Sequence, residues 1–587
     1  MKLSEIIVEN FRGIGEPVRI KIDDIIVLIG NNNVGKTTIL SAYEAFATSS
    51  SKLDIKDFYQ EKTDNIPIIT GIFEDVTTEE IAQKWIYNDG ELNYKNCIKV
   101  QYRWTTPGGT RDKYSYDPGL DKFTKNGTGG FDSILTSKIP TPLKISPLDN
   151  PTELESKILS ILTEAIKSNL KKDDSNLLTL LNQIEELGKS VKEEIEDDIL
   201  QSTNKIAEDL AKIFPEFDHV ELDVKSSTIA PEKLINSGSF IRIGSKEASA
   251  DSTTHKVPLS HHGTGLQRTF LWSALKMLAE TGRHKVGKSA IDSSKPKILL
   301  IEEPEAFLHP SAIREAREAL YSIAELENWQ VMGTTHSPMF IDLTKDHTTI
   351  IRIEKEVSAN RTVKTFSTEA AGFTQDDREN LKMMNFSNPY INEFFFAKQN
   401  LLVEGETEYS VVRSLIKDGK VESSLHILNC LGKSNIVTVS KILNHFSVPY
   451  SILHDSDNPT TLKKGKKVRN GAWTNNEKII DEVTKGKQRG LEIKTFISIP
   501  NFEGEFLDGI KGSSKPYEAW KYFKEENFNT IRFLDLIQYI LKEGSVTSCD
   551  NEYVDMTSII KKVNQHIIDN DLQEHDLWDM EYYYANK

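Results

Sequence analysis

The sequence predicts an α/β fold class, and three observations carry that expectation. A strand-like run, Ile25–Ile29, empties into the glycine-rich segment GNNNVGKTT and then into a helical pattern through Ile39, Leu40, Tyr43 and Phe46. A second apolar run, KILLI at Lys297–Ile301, ends on the acids Glu302 and Glu303. Two further short strands, Leu401–Val403 and Ser451–Leu453, also end on acids, at Glu404 and at Asp455 and Asp457.

Length and composition bound the rest. A chain of 587 residues is too long for one core, so about two to four domains are expected. Its 38% hydrophobic and 27% charged residues fit a soluble globular protein. No apolar run approaches the roughly 18 residues of a membrane span. The first residues, MKLSEIIVENF, mix acids with apolar residues and lack a secretory pattern. Cys97, Cys430 and Cys549 form no CxxC pair, which argues against a zinc site or a disulfide framework. No membrane association and a cytoplasmic location are expected. The formal charge of -16 is unusual for a binder of nucleic acid, but local distribution matters more than the sum. Residues 461–469, TLKKGKKVR, are a compact basic stretch.

Taken in order, Gly30 to Thr37 match GxxxxGK[ST] in the strand–loop–helix context that a phosphate-binding P-loop requires. Gly30 and Gly35 let backbone N–H groups curl around phosphate, and Asn31, Asn33 and Thr38 complete the loop. Lys36 would reach the β- and γ-phosphates of ATP and Thr37 would ligate magnesium. Glu302 is assigned to the magnesium and Glu303 to the attacking water. The next short strand, Trp329–Gly333, leads to His336, a candidate contact for the γ-phosphate. Between these motifs lies LSHHGTGLQR; its Ser260, Gly263, Gly265 and Gln267 open a helix with Leu266, Phe270, Ala274 and Leu278 on one face.

This order resembles the ABC ATPases, specifically their SMC/RecF-like branch. ENFRGI at Glu9–Ile14 looks like the branch's opening, Ser260–Gln267 like its signature, EEPEAFLHP like its Walker B and D-loop, and His336 like its switch histidine. The chain departs from the transporter pattern by SHHGTGLQ in place of LSGGQ and by Glu302 in place of Asp. A Q-loop is not evident, with Gln101 the only guess. The resemblance implies that one subunit's signature completes another's ATP site, hence a homo-oligomer, dimer or tetramer.

Residues 151–214 break the pattern. Leu177, Leu180, Leu181, Ile184, Leu187, Val191, Ile195 and Ile199 fall at spacings of three and four, as in an amphipathic helix with coiled-coil character. A dimerisation insert is expected, with a helical insert packed on its own ATPase domain as the alternative. The expected domains are 1–150 and 215–385 for the ATPase, 151–214 for the insert, 386–525 for a second catalytic domain and 526–587 for a C-terminal helical segment.

In that second domain, Glu404 sits at a strand tip and Glu408 about one turn into the following helix. Asp455 and Asp457 straddle one residue, so both carboxylates can face one point. Such hard oxygen donors suit Mg²⁺ or Mn²⁺. Farther on, Glu503 and Glu505 could complete a second metal position, and a lysine could stabilise charge developing on a phosphodiester. GETE followed by DSD resembles the Toprim fold. The whole order, with FFFAKQNLLVEGETE, LNCLGKSN, DSD, NGAWTNNEKI and FEGE…KP, resembles the OLD (overcoming lysogenization defect) nucleases over roughly residues 1–525. The resemblance implies metal-binding acids at Glu404, Glu408, Asp455, Asp457 and Glu503 or Glu505, and a catalytic lysine at Lys515, with Lys511 close by; Lys433 is a further candidate for phosphate contact. It implies an ATP-regulated, metal-dependent DNA endonuclease acting in anti-phage defence, alone or beside a helicase-like protein or a reverse transcriptase with its small DNA. Topoisomerase-like strand breakage and a DNA-binding repair ATPase that does not cut are the alternatives.

Overall fold

The structure, a computed structural model, describes residues 1–31, 33–90, 94–126, 132–146, 153, 155, 200–217, 219–223, 240–244, 256–283, 296–326, 328–345, 347–355, 361–369, 372–387, 391–397, 399–421, 425–509, 514–541, 548–572 and 576–587. By compactness the chain divides into a first unit, Met1–Phe340 with His347–Val363, and a second, Ile341–Asp346 with Lys364–Lys587. Residues 364–385, expected with the ATPase, thus belong to the second unit. Ring packing explains it: Phe366 lies 6.2 Å from both Phe395 and Phe446, centroid to centroid.

In the first unit a parallel sheet runs in the order Thr141–Ile145, Lys297–Glu302, Trp329–Thr334, Ile25–Ile29 and Thr348–Lys355. The interior strand Ile25–Ile29 is apolar and buried at every position because both of its faces are covered. An antiparallel sheet runs Val18–Lys21, Lys2–Glu9, Ile68–Glu74, Tyr94–Arg103, Asp112–Asp117 and Lys122–Lys125. The helix Lys36–Ala47 unites the two. Its Ile39, Leu40, Tyr43 and Phe46 are fully enclosed in one core with Ile6 and Ile69 of the antiparallel sheet and Ile26, Leu28 and Met332 of the parallel one. Each such side chain contributes roughly 1.5–3 kcal/mol of transfer free energy, so the helix that follows the phosphate loop is anchored on both sides. Of the insert, the helix at 200–211 is described and buries Ile206, Ala207 and Leu210. The amphipathic run Leu177–Ile199 lies outside the described residues.

In the second unit a parallel sheet runs Leu425–Asn429, Gln399–Val403, Tyr450–Asp455 and Ile493–Ser498. Helices Glu406–Lys417, Lys433–His445 and Gly471–Gln488 make the crossovers. The first strand in sequence therefore lies between the second and the third. That reversal of strand order opens a crevice at the carboxyl ends of Gln399–Val403 and Tyr450–Asp455, where open α/β sheets place their ligands. The C-terminal segment is not separate from this core. Phe533, Leu536 and Ile537 share it with Leu401 and Phe496, and Glu552 pairs with Phe496 at the edge strand.

Candidate active sites

Adjacent parallel strands bring three loops of the first unit to one edge. Glu302 is in register with Thr334, and Thr334 with Leu28. Gly30 takes φ +144°, and a Cβ there would stand 2.4 Å from the Ile353 carbonyl oxygen, so only glycine lets the chain leave the strand this way. The loop closes on Lys36, which is 7% exposed and donates to the carbonyls of Gly30 and Asn31, both at 2.9 Å. Asn33 is left-handed at φ 64°. Thr37 and Thr38 occupy the first turn of the helix, where free N–H groups and the helix dipole favour an anion.

Electrostatics tie the motifs together. Burial draws the Lys36 ammonium below its usual range, while Glu303 and Glu305 pull it back up. Burial also lowers His336, with Lys36 adding to the effect and the same two acids opposing it. Lys36, Glu303, Glu305 and His336 therefore share one field. Glu303 is held at φ 44°, an uncommon backbone for a residue that is not glycine and one that recurs at functional sites. Glu302, the other acid of the pair, lies 3.6 Å from Lys144, which also binds Glu44 at 3.2 Å. Glu305 stands in the same segment, EEPEAFLHP. It accepts from the Thr335 hydroxyl at 2.9 Å and from the His336 N–H at 2.7 Å, and so holds the histidine turn.

The segment from Ser260 to Gln267 closes on itself through a 2.6 Å bond from the Gln267 amide to the His262 carbonyl. A Cβ on Gly265 would stand 3.2 Å from the Phe307 carbonyl oxygen, so this segment lies against the loop after Glu305. Gly263 and Thr264, at the start of the helix Thr264–Arg283, are exposed. Gln101 is buried in the antiparallel sheet, donating to Thr70 at 3.0 Å and accepting from Arg103 at 2.6 Å. An interior strand position keeps it from serving as a mobile loop glutamine.

In the second unit the sequence-predicted acids gather at the crevice. Glu404 accepts from the Asp455 N–H at 3.2 Å. Asp455 in turn accepts from the Phe502 N–H at 2.8 Å, which ties the third strand to the loop that carries Glu503. Burial raises Glu404; Asp457 and Glu503 raise it further and Lys433 opposes them. Burial also pushes Glu408 up to about 7, aided by Glu404 and Glu503, and drives Asp455 well above the carboxylate range, aided by Glu408 and Glu404. Carboxylates this close and this desolvated repel one another, and each holds its proton more tightly for it. Their oxygens stand wider than a closed cage. Among the described residues, the three side chains whose ligand atoms lie within 4.8 Å of one another are instead Asp23, Asp24 and His347.

One lysine reaches into the group. Lys433, 4% exposed, binds Asp457 at 2.7 Å and the Ser456 carbonyl at 3.3 Å. Asp457 itself is left-handed at φ 57°. The two glutamates of FEGE part company. Glu503 stays in the field of Glu404 and Glu408 and pairs with Lys515 at 3.1 Å. Glu505 turns to the C-terminal segment, where it is bound by Arg532 and Asn551 and accepts from the Ile499 N–H at 3.2 Å. Lys511 lies outside the described residues. A support that no motif revealed sits behind Asp455. The buried His454 ring bonds the Asp455 carbonyl at 2.8 Å and the Tyr553 hydroxyl at 2.6 Å. Burial and Lys433 lower this ring to about 3, so it is neutral, donating to the carbonyl and accepting from the phenol.

The described arrangement matches known families. Residues 1–103 and 146–341 match the family model described as an AAA ATPase domain. Residues 395–457 match the one described as the overcoming lysogenization defect protein-like TOPRIM domain. The chain is 27% identical over 478 residues to the Old nuclease of Escherichia phage P2, covering 78% of this chain and 77% of that protein. It is 24% identical over 280 residues to the OLD nuclease of Thermus scotoductus, covering 46% of this chain and 49% of that one. Among solved structures, an SMC head bound to the C-terminal winged-helix domain of ScpA is 14% identical with a TM-score of 0.38, covering 63% of this chain and 99% of that one.

Proposed function

The chain belongs to the OLD family, an AAA-type ATPase joined to a Toprim domain, and from that premise we propose that it is an ATP-regulated, divalent-metal-dependent DNA endonuclease. One observation carries the reading: at the strand-order reversal of the second unit Glu404 accepts from the Asp455 N–H and Asp455 from the Phe502 N–H beside Glu503, a gathering of acids in which burial first, and neighbouring carboxylates second, raise the proton affinity of Glu404, Glu408 and Asp455. A compact, highly charged counter-ion would relieve such a group, and all-oxygen donors select Mg²⁺ or Mn²⁺. Glu404, Asp455 and Asp457 would hold the ion, with Glu408 and Glu503 beside them; Glu505 is the weaker candidate because Arg532 already holds it. When bound, the metal supplies activation of water and charge neutralisation on the phosphodiester. Lys433 fixes the direction of Asp457. Lys515, about half exposed and paired with Glu503 at 3.1 Å, would turn to a non-bridging phosphate oxygen.

In the first unit, Gly30, Asn31, Asn33, Gly35, Lys36, Thr37 and Thr38 would bind ATP. Thr37 and Glu302 would hold its magnesium, Glu303 would orient water, and His336 would sense the γ-phosphate. Ser260, Gly263, Gly265 and Gln267 would complete the site of a second subunit; the exposure of Gly263 and Thr264 supports that use. The helical insert is the proposed dimerisation element. The biological role follows the family: a cytoplasmic effector of anti-phage defence, acting alone or with a companion protein.

The deciding experiment is cleavage of supercoiled plasmid DNA with Mg²⁺ or Mn²⁺. The double variant Asp455→Ala, Asp457→Ala is expected to lose cutting and to keep ATP binding. Cutting that survives in that variant would sink the metal-site assignment.

A further inference from the structure

Resting on this reading, we propose that the β-hairpin Thr460–Arg469 is the arm by which the second unit grips the phosphate backbone of duplex DNA. The hairpin pairs Thr460–Lys463 with Lys466–Arg469 as a two-stranded sheet of its own. It starts three residues after Asp457. Its turn residues Lys464 and Gly465 have φ 52° and 74°, the positive values that a tight two-residue hairpin loop demands. An isolated hairpin is marginal in water, so something must hold it.

One side of the hairpin is held. Lys467 binds Asp579 at 2.8 Å, and the Tyr582 hydroxyl donates to the Lys467 carbonyl at 2.8 Å. Arg469 lies over the Tyr583 ring at 4.5 Å and donates to the Asn586 carbonyl at 3.2 Å. The C-terminal helix Met580–Ala585 therefore serves as the hairpin's base. The other cations point outward: Lys463, Lys464 and Lys466 are exposed.

This arrangement is unlike a solvated charge run. Two cations are spent on anchoring, and three are presented at the tip of a braced arm in a chain of net charge -16. Backbone phosphate is the ligand such a surface fits, since lysine ammoniums read charge and not base edges. Placed next to the metal acids, the arm would contribute affinity without sequence preference.

The test measures binding of a short mixed-sequence DNA duplex, with Ca²⁺ in place of Mg²⁺, across a range of salt concentrations. For the triple variant Lys463→Ala, Lys464→Ala, Lys466→Ala, the slope of log K against log salt should become shallower by about one unit per lysine. Affinity should fall about equally for unrelated sequences. The Lys→Arg triple variant should retain both. A control triple variant at exposed Lys382, Lys417 and Lys521 should bind as wild type does. An Ala variant with unchanged slope, a loss confined to one sequence, or an equal loss in the control variant would overturn the proposal. Failure of the wild type to cut plasmid would instead remove the nuclease reading on which it rests.

Discussion

Lys433 holds Asp457 in place at the second site. It is enclosed, and its ammonium is the direct partner of Asp457. Removing the lysine strands Asp457, whose partial exposure keeps the cost below the roughly 3–5 kcal/mol of a fully buried pair. Lys433→Met is therefore expected to lower the urea midpoint of unfolding by that loss divided by the m-value. Added Mg²⁺ should recover part of it by replacing the lost positive charge, because binding to the folded state stabilises it. His426 makes a different single-residue prediction. Burial and the nearby Arg413 lower its ring to about 4, and its Nε2 is buried without a hydrogen bond. The folded state thus refuses a proton that the unfolded chain takes up near pH 6.5. Its contribution is intact above about pH 6.5 and is lost as pH falls toward 4, on the order of 3 kcal/mol at most. Unfolding measured across that window should lose this part of its pH dependence in His426→Gln.

Among the elements, the loop and short helix Asn501–Phe506 separate two acids that sequence spacing could not. Glu503→Gln is expected to raise the Mg²⁺ concentration needed for cutting with little change in stability. Glu505→Gln should do the reverse, because its carboxylate binds Arg532 and Asn551. Titration of cutting against Mg²⁺, beside a thermal melt, distinguishes them; equal behaviour would show that both glutamates serve one purpose. The segment through Tyr553 is the second case. Its N–H bonds Thr495 at 2.9 Å while its hydroxyl supports the His454 ring behind Asp455. Tyr553→Phe leaves a buried imidazole nitrogen unpaired, costing about 1–3 kcal/mol. Cutting should fall while ATP binding by the first unit stays as it was.

At the scale of the whole molecule, the two units carry their candidate sites on separate parallel sheets, and the proposed function makes ATP the input and cleavage the output. Lys36→Ala removes the phosphate-loop ammonium. Nucleotide binding should drop at least tenfold, and cutting measured with and without ATP should become the same. A variant that still responds to ATP would place control of cleavage elsewhere.

The motifs along the chain determined much of this. Apolar runs ending in acids marked the strand tips, the glycines of the phosphate loop marked where backbone must bend, and Glu404, Asp455 and Asp457 were legible because a strand end exposes its last side chains at the sheet's edge. These are local signals, since each depends on residues within one turn or one strand. Other features are set by contacts across long separations. Glu305 holding the His336 turn, Glu505 leaving the other acids for Arg532, Phe366 joining the second unit and Tyr553 bracing His454 all depend on partners tens to about a hundred residues away. Periodicity and spacing report which face of an element is apolar. They do not report which distant element covers it, and that covering decides whether an acid is desolvated among other acids or neutralised by an arginine.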